Sequence, residues 1–142
     1  MTLRHRAYIE CLRATGAEVE LGRFKDKRVP CPYCGKVVTR HEEKETDVAI
    51  GVRLLDLFRR DQCDSVVLVT GDSDLAPAVR AAQRSFPKKR IFSLFPFRRI
   101  SFELKSLATR SFKIKARRYL QHQFPNPVLL GDGMRIAKPA AW

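Results

Sequence analysis

Apolar side chains recur along this chain with two different periods, which together outline a series of helices and strands. Spacings of three and four residues predict helices over residues 4–14, 46–60, 75–86 and 101–109. Continuous or alternating apolar runs predict strands over residues 18–25, 65–70 and 90–95. The predicted helix boundaries are Gly16 after the first helix, Thr46 and Asp74 as caps of the second and third, and Pro77 in the first turn of the third.

Helices that alternate with apolar strands favour an α/β fold with a mainly parallel sheet. Two segments interrupt this alternation. Residues 26–41 form a polar excursion that contains Pro and Cys, and residues 128–136 are typical of a β-hairpin. We therefore predict one domain over residues 1–115, with the excursion as an insertion, and a basic, Pro-rich extension over residues 116–142 that packs on it.

The composition indicates which kind of partner this fold binds. The chain has 142 residues, which suits one domain, and 44% of them are hydrophobic, which is enough for a core. Lys and Arg outnumber Asp and Glu by 28 to 15, so the net charge is +13. Such an excess favours a polyanionic partner, most often nucleic acid; a basic protein without such a partner is the alternative.

Other features of the sequence indicate the cellular compartment of the protein. No run of 18 apolar residues is present, so we expect no membrane span. The charged N-terminus is not followed by the apolar stretch of a secretory signal. The four cysteines contain one recognisable pair, which argues against a disulfide framework. We therefore expect a cytoplasmic protein.

Acidic side chains cluster around the predicted strand over residues 65–70. Asp72 and Asp74 come directly after this strand, where open α/β sheets place their ligand sites. Asp47 begins the apolar stripe of the preceding helix, so its carboxylate is expected to face the sheet. Each acid also has a simpler explanation, because Asp favours caps, turns and first helical turns. Three converging carboxylates nevertheless repel one another, and a hard cation such as Mg²⁺ or Mn²⁺ relieves that repulsion.

The stretch Glu42-Glu-Lys-Glu-Thr-Asp-Val-Ala-Ile50, followed by Leu68-Val-Thr-Gly-Asp-Ser-Asp-Leu75, resembles the NYN family (LabA-like branch) of the PIN-like nuclease superfamily. The resemblance covers nearly the whole chain. It implies a PIN-like, Rossmann-like three-layer fold and a Mg²⁺- or Mn²⁺-dependent ribonuclease site. The positions that match the family's site are the metal-binding acids Asp47, Asp72 and Asp74, a neighbouring acid, Glu43, and two small polar loop residues, Thr70 and Ser73.

One part of the family pattern is missing. The family begins with a strand ending in an Asp-x-x-Asn-like motif, which supplies another metal-binding acid, whereas no Asp precedes Asp26 here. Three explanations are open: the chain is N-terminally truncated and lacks two strands, another chain completes the sheet, or the protein is a degenerate, non-catalytic member. An exposed sheet edge favours self-association, so a homodimer or a partner chain that completes the sheet belongs to the hypothesis.

The segment Cys31-Pro-Tyr-Cys34 is half of a zinc-binding knuckle, because two thiolates three residues apart on a turn can bind one Zn²⁺. A structural zinc site needs four ligands. The candidates for the others are His41, Cys11 and His5. A loop with free thiols is the alternative, and a redox role is disfavoured because the pair does not open a helix after a strand.

Basic and aromatic residues follow the predicted strand over residues 90–95. Arg98 and Arg99 come just after its end, on the same sheet edge as the acids, and are predicted to contact phosphates. Phe95 and Phe97 are placed to stack bases of single-stranded RNA, although the apolar strand favours a core position for Phe95. The predicted nucleic-acid contacts are Arg98, Arg99, Lys44 and Ser73.

Two functions fit these features. The first is a metal-dependent endoribonuclease that cleaves RNA phosphodiesters, with Asp47, Asp72, Asp74 and Glu43 as catalytic residues. The second is a catalytically degenerate RNA-binding or assembly module on the same fold. A phosphatase of the haloacid-dehalogenase type is disfavoured, because its chemistry needs a nucleophilic Asp on an early strand and none is present.

Overall fold

The computed structural model describes residues 3–140. In these residues no helix is both long and apolar enough to cross a membrane. Two compact units are present, one formed by the segment up to Leu21 together with that from Arg117 onward, the other by Gly22–Ala116. The elements in chain order are α1 (Leu3–Ala14), β1 (Arg23–Pro30), β2 (Val37–Lys44), α2 (Thr46–Arg59), β3 (Ser65–Leu68), a 3₁₀ turn (Ser73–Leu75), α3 (Ala76–Ser85), β4 (Arg90–Phe95), α4 (Phe102–Leu107), β5 (Arg110–Lys113), α5 (Ala116–Gln121), β6 (Val128–Leu129) and β7 (Arg135–Ile136).

The larger unit contains a parallel sheet in the order β3-β4-β5. Helix α3 connects β3 to β4 and α4 connects β4 to β5, as parallel neighbours require a crossover. Because the strands are parallel, their carboxyl ends meet at one edge of the sheet. The predicted α/β fold with a mainly parallel sheet is confirmed.

The core of this unit lies between β3, β4 and the helices α2, α3 and α4. Side chains of β4 alternate, so that Ile91, Ser93 and Phe95 are buried while Phe92 and Leu94 are only partly covered. Burying a side chain as large as Phe95 stabilises the fold by roughly 1.5–3 kcal/mol. The helices contribute the apolar stripes predicted for them: Leu54 and Phe58 from α2, Val79 and Ala82 from α3, and Leu104 from α4.

The segment before α2 differs from the sequence-based prediction. The strand predicted over residues 18–25 begins only at Arg23 and continues to Pro30. The excursion predicted over residues 26–41 is itself part of an antiparallel ribbon, β1 with β2. The alternation at Val19 and Leu21 suggested an earlier start, but β2 offers partners only from Arg23 onward. Oppositely charged side chains cross the ribbon, as between Lys27 and Glu42 at 2.7 Å.

Two caps also differ from the prediction. Glu45, with φ 79°, occupies the N-cap position of α2, and Thr46 is the first helical residue. Asp72, not Asp74, caps the turn before α3: its Oδ1 accepts a hydrogen bond from the Asp74 backbone N–H at 3.1 Å.

Strand β5 was not predicted, because Phe112 is the one apolar residue in it.

The smaller unit contains α1, α5 and a short hairpin of β6 with β7. This hairpin confirms the prediction for residues 128–136. Within the unit the ring of Tyr8 meets that of Phe124 edge-on at 6.0 Å between centroids, and Cys11 and Val128 are buried. The boundary at residue 115 and the packing of the extension stay predictions.

Candidate active site

The loop after β3 is shaped by hydrogen bonds between its own polar residues. The Asp72 backbone N–H donates to the Thr70 hydroxyl at 3.0 Å, and the Asp74 N–H donates to Asp72 Oδ1 at 3.1 Å. The capping role considered for these acids is therefore real for Asp72. It uses one carboxylate oxygen, so capping and metal binding are compatible at this residue.

Asp47 reaches the same place from the first turn of α2. Gly51, Leu54 and Phe58 continue its face of the helix and are buried. At Gly51 the two helices approach so closely that an added Cβ would lie 3.0 Å from the Ala78 Cβ on α3. The N-terminal turns of α2 and α3 are thus held side by side, which brings Asp47 to the loop that carries the other two acids.

Asp47, Asp72 and Asp74 form a carboxylate cluster. Each offers an oxygen, all three oxygens lie within 4.8 Å of one another, and the residues are exposed. Oxygens on opposite sides of an ion at about 2.1 Å stand about 4.2 Å apart, so small side-chain rotations would let the cluster hold Mg²⁺ or Mn²⁺. An all-oxygen donor set suits such hard cations, and the exposure leaves room for substrate oxygens and water.

The carboxylates affect one another electrostatically. Although Asp47 is exposed as a residue, loss of water around its carboxyl raises its pKa above the ordinary value. The negative charges of Asp72, Asp74 and Glu43 raise this pKa further. A bound cation would remove both penalties, since it replaces the lost water and offsets the repulsion.

Glu43 lies beside this cluster with its carboxylate engaged elsewhere. Its Oε1 accepts hydrogen bonds from the Thr46 hydroxyl and from the Thr46 backbone N–H at 3.3 Å, so it ties β2 to the first turn of α2. Among the described residues it is not part of the three-carboxylate group. Lys44 is the next residue of β2 and therefore points to the opposite face, where its ammonium pairs with Glu42 at 3.1 Å.

The loop after β4 carries the predicted phosphate contacts. It touches the loop after β3, which is called the acidic loop because it carries Asp72 and Asp74. Arg98 and Arg99 are exposed, and the Arg98 guanidinium lies 5.1 Å from the centre of the Phe97 ring. Gly71 packs against Arg99 so closely that a Cβ on Gly71 would stand 2.6 Å from the Arg99 carbonyl oxygen. Ser73 is exposed between the two acids. The structure therefore brings Arg99 and Ser73 to the acidic loop.

The two phenylalanines near this loop have different roles. Phe95 is 1% exposed, so the prediction of a core position is confirmed and base stacking by Phe95 is wrong. Phe97 is 45% exposed beyond the end of β4, where its ring is accessible. It remains the candidate for stacking.

Cys31 and Cys34 lie in the turn that joins β1 to β2. Backbone hydrogen bonds from Tyr33 and Cys34, and then the Cys34 thiol, lower the pKa of the Cys31 thiol. His41, the suggested third zinc ligand, instead has its Nδ1 2.7 Å from Asp26 Oδ1. In the described part of the chain no third ligand joins the two thiols.

Some residues that shape the site were missed in the sequence. Gly71 is needed for the close approach to Arg99, and Arg98 adopts the left-handed conformation at φ 59°. Glu45 adopts it at φ 79° before α2. The Gly of the Thr-Gly-Asp-Ser-Asp run was the one signal available, since Gly often marks a close backbone approach.

Comparison with known proteins gives a consistent result. The family model described as "NYN domain" matches residues 2–115. A crystal structure of a protein of unknown function from Vibrio parahaemolyticus is similar in fold, with a TM-score of 0.60, 23% sequence identity and 81% of this chain covered. The chain spans 63% of the length of that protein. Among curated proteins none matches the chain.

Proposed function

The chain belongs to the NYN domain family, within the PIN-like nuclease superfamily, and on this premise we propose that it is a metal-dependent endoribonuclease. Asp47, Asp72 and Asp74 are the proposed ligands of Mg²⁺ or Mn²⁺. The substrate is an RNA phosphodiester, and single-stranded RNA is the preferred form. Assignment to the LabA-like branch and a cytoplasmic location are part of the same proposal.

The cluster of three carboxylates is the observation that carries this proposal. Their oxygens lie within 4.8 Å of one another at the carboxyl ends of the parallel strands. Helix α2 and the loop after β3 hold them there although they repel one another, and the loss of water around Asp47, together with this repulsion, raises its pKa. Such a costly arrangement is typical of functional sites, because a fold without a use for it would gain by losing one acid.

When bound, Mg²⁺ or Mn²⁺ acts as a Lewis acid toward the phosphodiester and lowers the pKa of an attacking water. The protein's own residues position the reactants. Asp72, held by Thr70 and by the Asp74 N–H, keeps a fixed orientation. The Arg99 backbone lies against the same loop at Gly71, which supports the proposal that Arg99 binds a phosphate of the RNA being cut.

The charge of the chain supports a nucleic acid as the substrate, and an exposed aromatic ring supports its single-stranded form. The net charge of +13 attracts any nucleic acid backbone. In addition, Phe97 is exposed next to Arg98, with the guanidinium over the ring, beside the loop that touches the acids. An aromatic face is available to unpaired bases, whereas the bases of a duplex are already stacked on each other.

Cleavage of a labelled single-stranded RNA in Mn²⁺ or Mg²⁺ tests the proposal. Asp72→Asn is the sharpest variant, because Asn keeps the oxygen that caps the turn and loses the charge. Its control is Asp61→Asn, which lies just beyond the end of α2 that is opposite to Asp47, about 20 Å along the helix axis. We expect EDTA and Asp72→Asn each to reduce cleavage at least about 100-fold, since even outer positions at metal sites cost 10–100-fold. Equal rates for both variants would contradict the proposal.

A non-catalytic RNA-binding or assembly module is the second candidate, and the engagement of Glu43 favours it. Glu43 bonds Thr46 and does not join the group of three carboxylates among the described residues, so three carboxylates remain for the ion. Strand β3 pairs with β4 alone among the described residues, which supports a homodimer or a partner chain that adds to this sheet. Salt-sensitive RNA binding without metal-dependent cleavage would identify this second function.

A further inference from the structure

The cysteine pair lies at the tip of the β1–β2 ribbon. The last paired residues of the ribbon are Pro30 and Val37, and the turn between them contains both cysteines. Both are free thiols; Cys34 is exposed and Cys31 is half-buried. Tyr33 between them is 96% exposed. A ligand, or another protein, can therefore approach this turn from solvent.

The turn has the geometry of half a metal site. The Cys31 N–H donates to the Lys36 carbonyl at 2.8 Å, and the Gly35 N–H donates to the Cys31 carbonyl at 2.9 Å. Gly35 supports this fold of the backbone with φ 66°. The hydrogen bond from Gly35 to Cys31 closes the bend of the chain that contains both cysteines.

Within the unit Gly22–Ala116, no third potential ligand stands with the two thiols. Among the described residues the one group of three or more potential ligands is the carboxylate cluster. His41 pairs with Asp26 four register positions below the last pair of the ribbon, about 13 Å along the strands. A structural zinc site is almost always tetrahedral with four ligands, so two positions would remain to be filled.

We propose that the cysteine pair of a second copy fills them, so that one Zn²⁺ joins two ribbons through Cys31 and Cys34 of each chain. Four thiols lose their protons to solvent as four Zn–S bonds form. A two-fold axis through the ion makes both halves identical, as in most homodimers. The tetrathiolate has a net charge of −2, which Lys36 in the same turn of each copy would offset.

Zinc addition to the reduced full-length chain tests this inference, with mass measured by light scattering and zinc content measured after desalting. We expect one thiolate-bound zinc per two chains and a two-fold increase in mass that EDTA reverses. Cobalt substitution identifies the ligands, because thiolate-to-metal charge-transfer bands do not arise from carboxylates. Four-thiolate bands of this kind are expected, with one cobalt per two chains.

Cys34→Ser is expected to abolish both the increase in mass and the charge-transfer bands. Cys63→Ser is the matched control, because this thiol packs against the core of the same unit, and it should behave as the wild type. Circular dichroism of each variant separates loss of the site from loss of the fold. One thiolate-bound zinc per chain without a change in mass, or no thiolate-bound zinc, would overturn the inference.

Discussion

The Cα atom of Gly71 lies directly against the backbone of Arg99, so that an added Cβ would stand 2.6 Å from the Arg99 carbonyl oxygen and 3.0 Å from its carbonyl carbon. These residues belong to loops that follow neighbouring parallel strands, β3 and β4. The contact holds the acidic loop and the basic loop together. It therefore links the residues proposed to bind metal with those proposed to bind phosphate.

Gly71→Ala is expected to separate these loops. The neighbouring atoms are backbone and cannot rotate away, so we expect a loss of about 1–3 kcal/mol in the free energy of unfolding. RNA cleavage should also fall, because Arg99 and the acids lose their mutual position. Urea denaturation and the cleavage assay measure the two effects. Gly131→Ala is the control, since nothing lies within 4 Å of its added Cβ; equal effects of both substitutions would count against the contact.

Asp47→Asn is expected to stabilise the metal-free protein at neutral pH. The pKa of Asp47 is raised in the folded state, so the unfolded chain ionises first. The contribution of this carboxyl to stability is therefore present below its unfolded pKa and is lost as pH rises through its folded pKa. Thermal unfolding in EDTA between pH 4 and 7 should show a smaller decline with rising pH for the variant than for the wild type.

Bound metal should make the wild type more stable than Asp47→Asn, which reverses their order in the metal-free state. At 100 times its dissociation constant, a bound ion stabilises the wild type by about 2.7 kcal/mol. Asp47→Asn should show much less of this gain, while Asp61→Asn should keep it. If Mn²⁺ stabilised all three proteins equally, the carboxylate cluster would not be where the ion binds.

Substitutions of Phe95 and Phe97 are expected to affect different properties. The first should lower stability and the second should weaken RNA binding. Phe95→Ala removes a fully buried ring and should lower the free energy of unfolding by about 3–5 kcal/mol. Phe97→Ala should leave stability nearly unchanged and weaken binding of single-stranded RNA by about 1–3 kcal/mol, the usual contribution of one stacked base. Fluorescence anisotropy with a short RNA measures the binding. Unchanged affinity for Phe97→Ala would exclude stacking.

Arg98 and Arg99 are expected to contribute to RNA affinity through their positive charge. Replacing either with Gln should lower the RNA affinity and reduce the slope of log affinity against log salt by about 0.7. Arg84→Gln, in the last turn of α3 and so at the other end of that helix from the acids, is the control. A slope that falls as much for Arg84→Gln would indicate a diffuse basic surface without a specific track.

Much of the fold could be predicted because local patterns and final packing agree. The run from Ser65 and the alternation of Ile91 with Phe95 predicted β3 and β4. Alternate positions of β4 are buried, whereas in the edge strand β3 Leu68 is buried and Val67 is 56% exposed, so the expectation of a buried β3 is wrong. Strand β5 could not be found this way, because its pairing with β4 defines it while Phe112 is its one apolar residue. The β1–β2 ribbon could not be predicted from apolar patterns either, since its residues are mostly charged and exposed.

The carboxylates of the candidate site were easier to predict than its loops. Asp72 and Asp74 come just after the apolar strand β3, and Asp47 starts a helical stripe, so simple geometry brings them together. The engagement of Glu43 with Thr46 and the contact of Gly71 with Arg99 depend on loop conformations that no periodicity encodes. The roles of all these residues remain predictions.

Binding of Mn²⁺ followed by electron paramagnetic resonance tests the central claim most directly, because the free ion gives a strong signal that is lost on binding. We expect the wild type and Asp61→Asn to bind Mn²⁺, Mg²⁺ to compete for the same site, and Asp72→Asn to bind at least about 10-fold more weakly. Wild-type protein that leaves the Mn²⁺ signal unchanged, or Asp72→Asn that binds as tightly as the wild type, would contradict a metal centre formed by Asp47, Asp72 and Asp74.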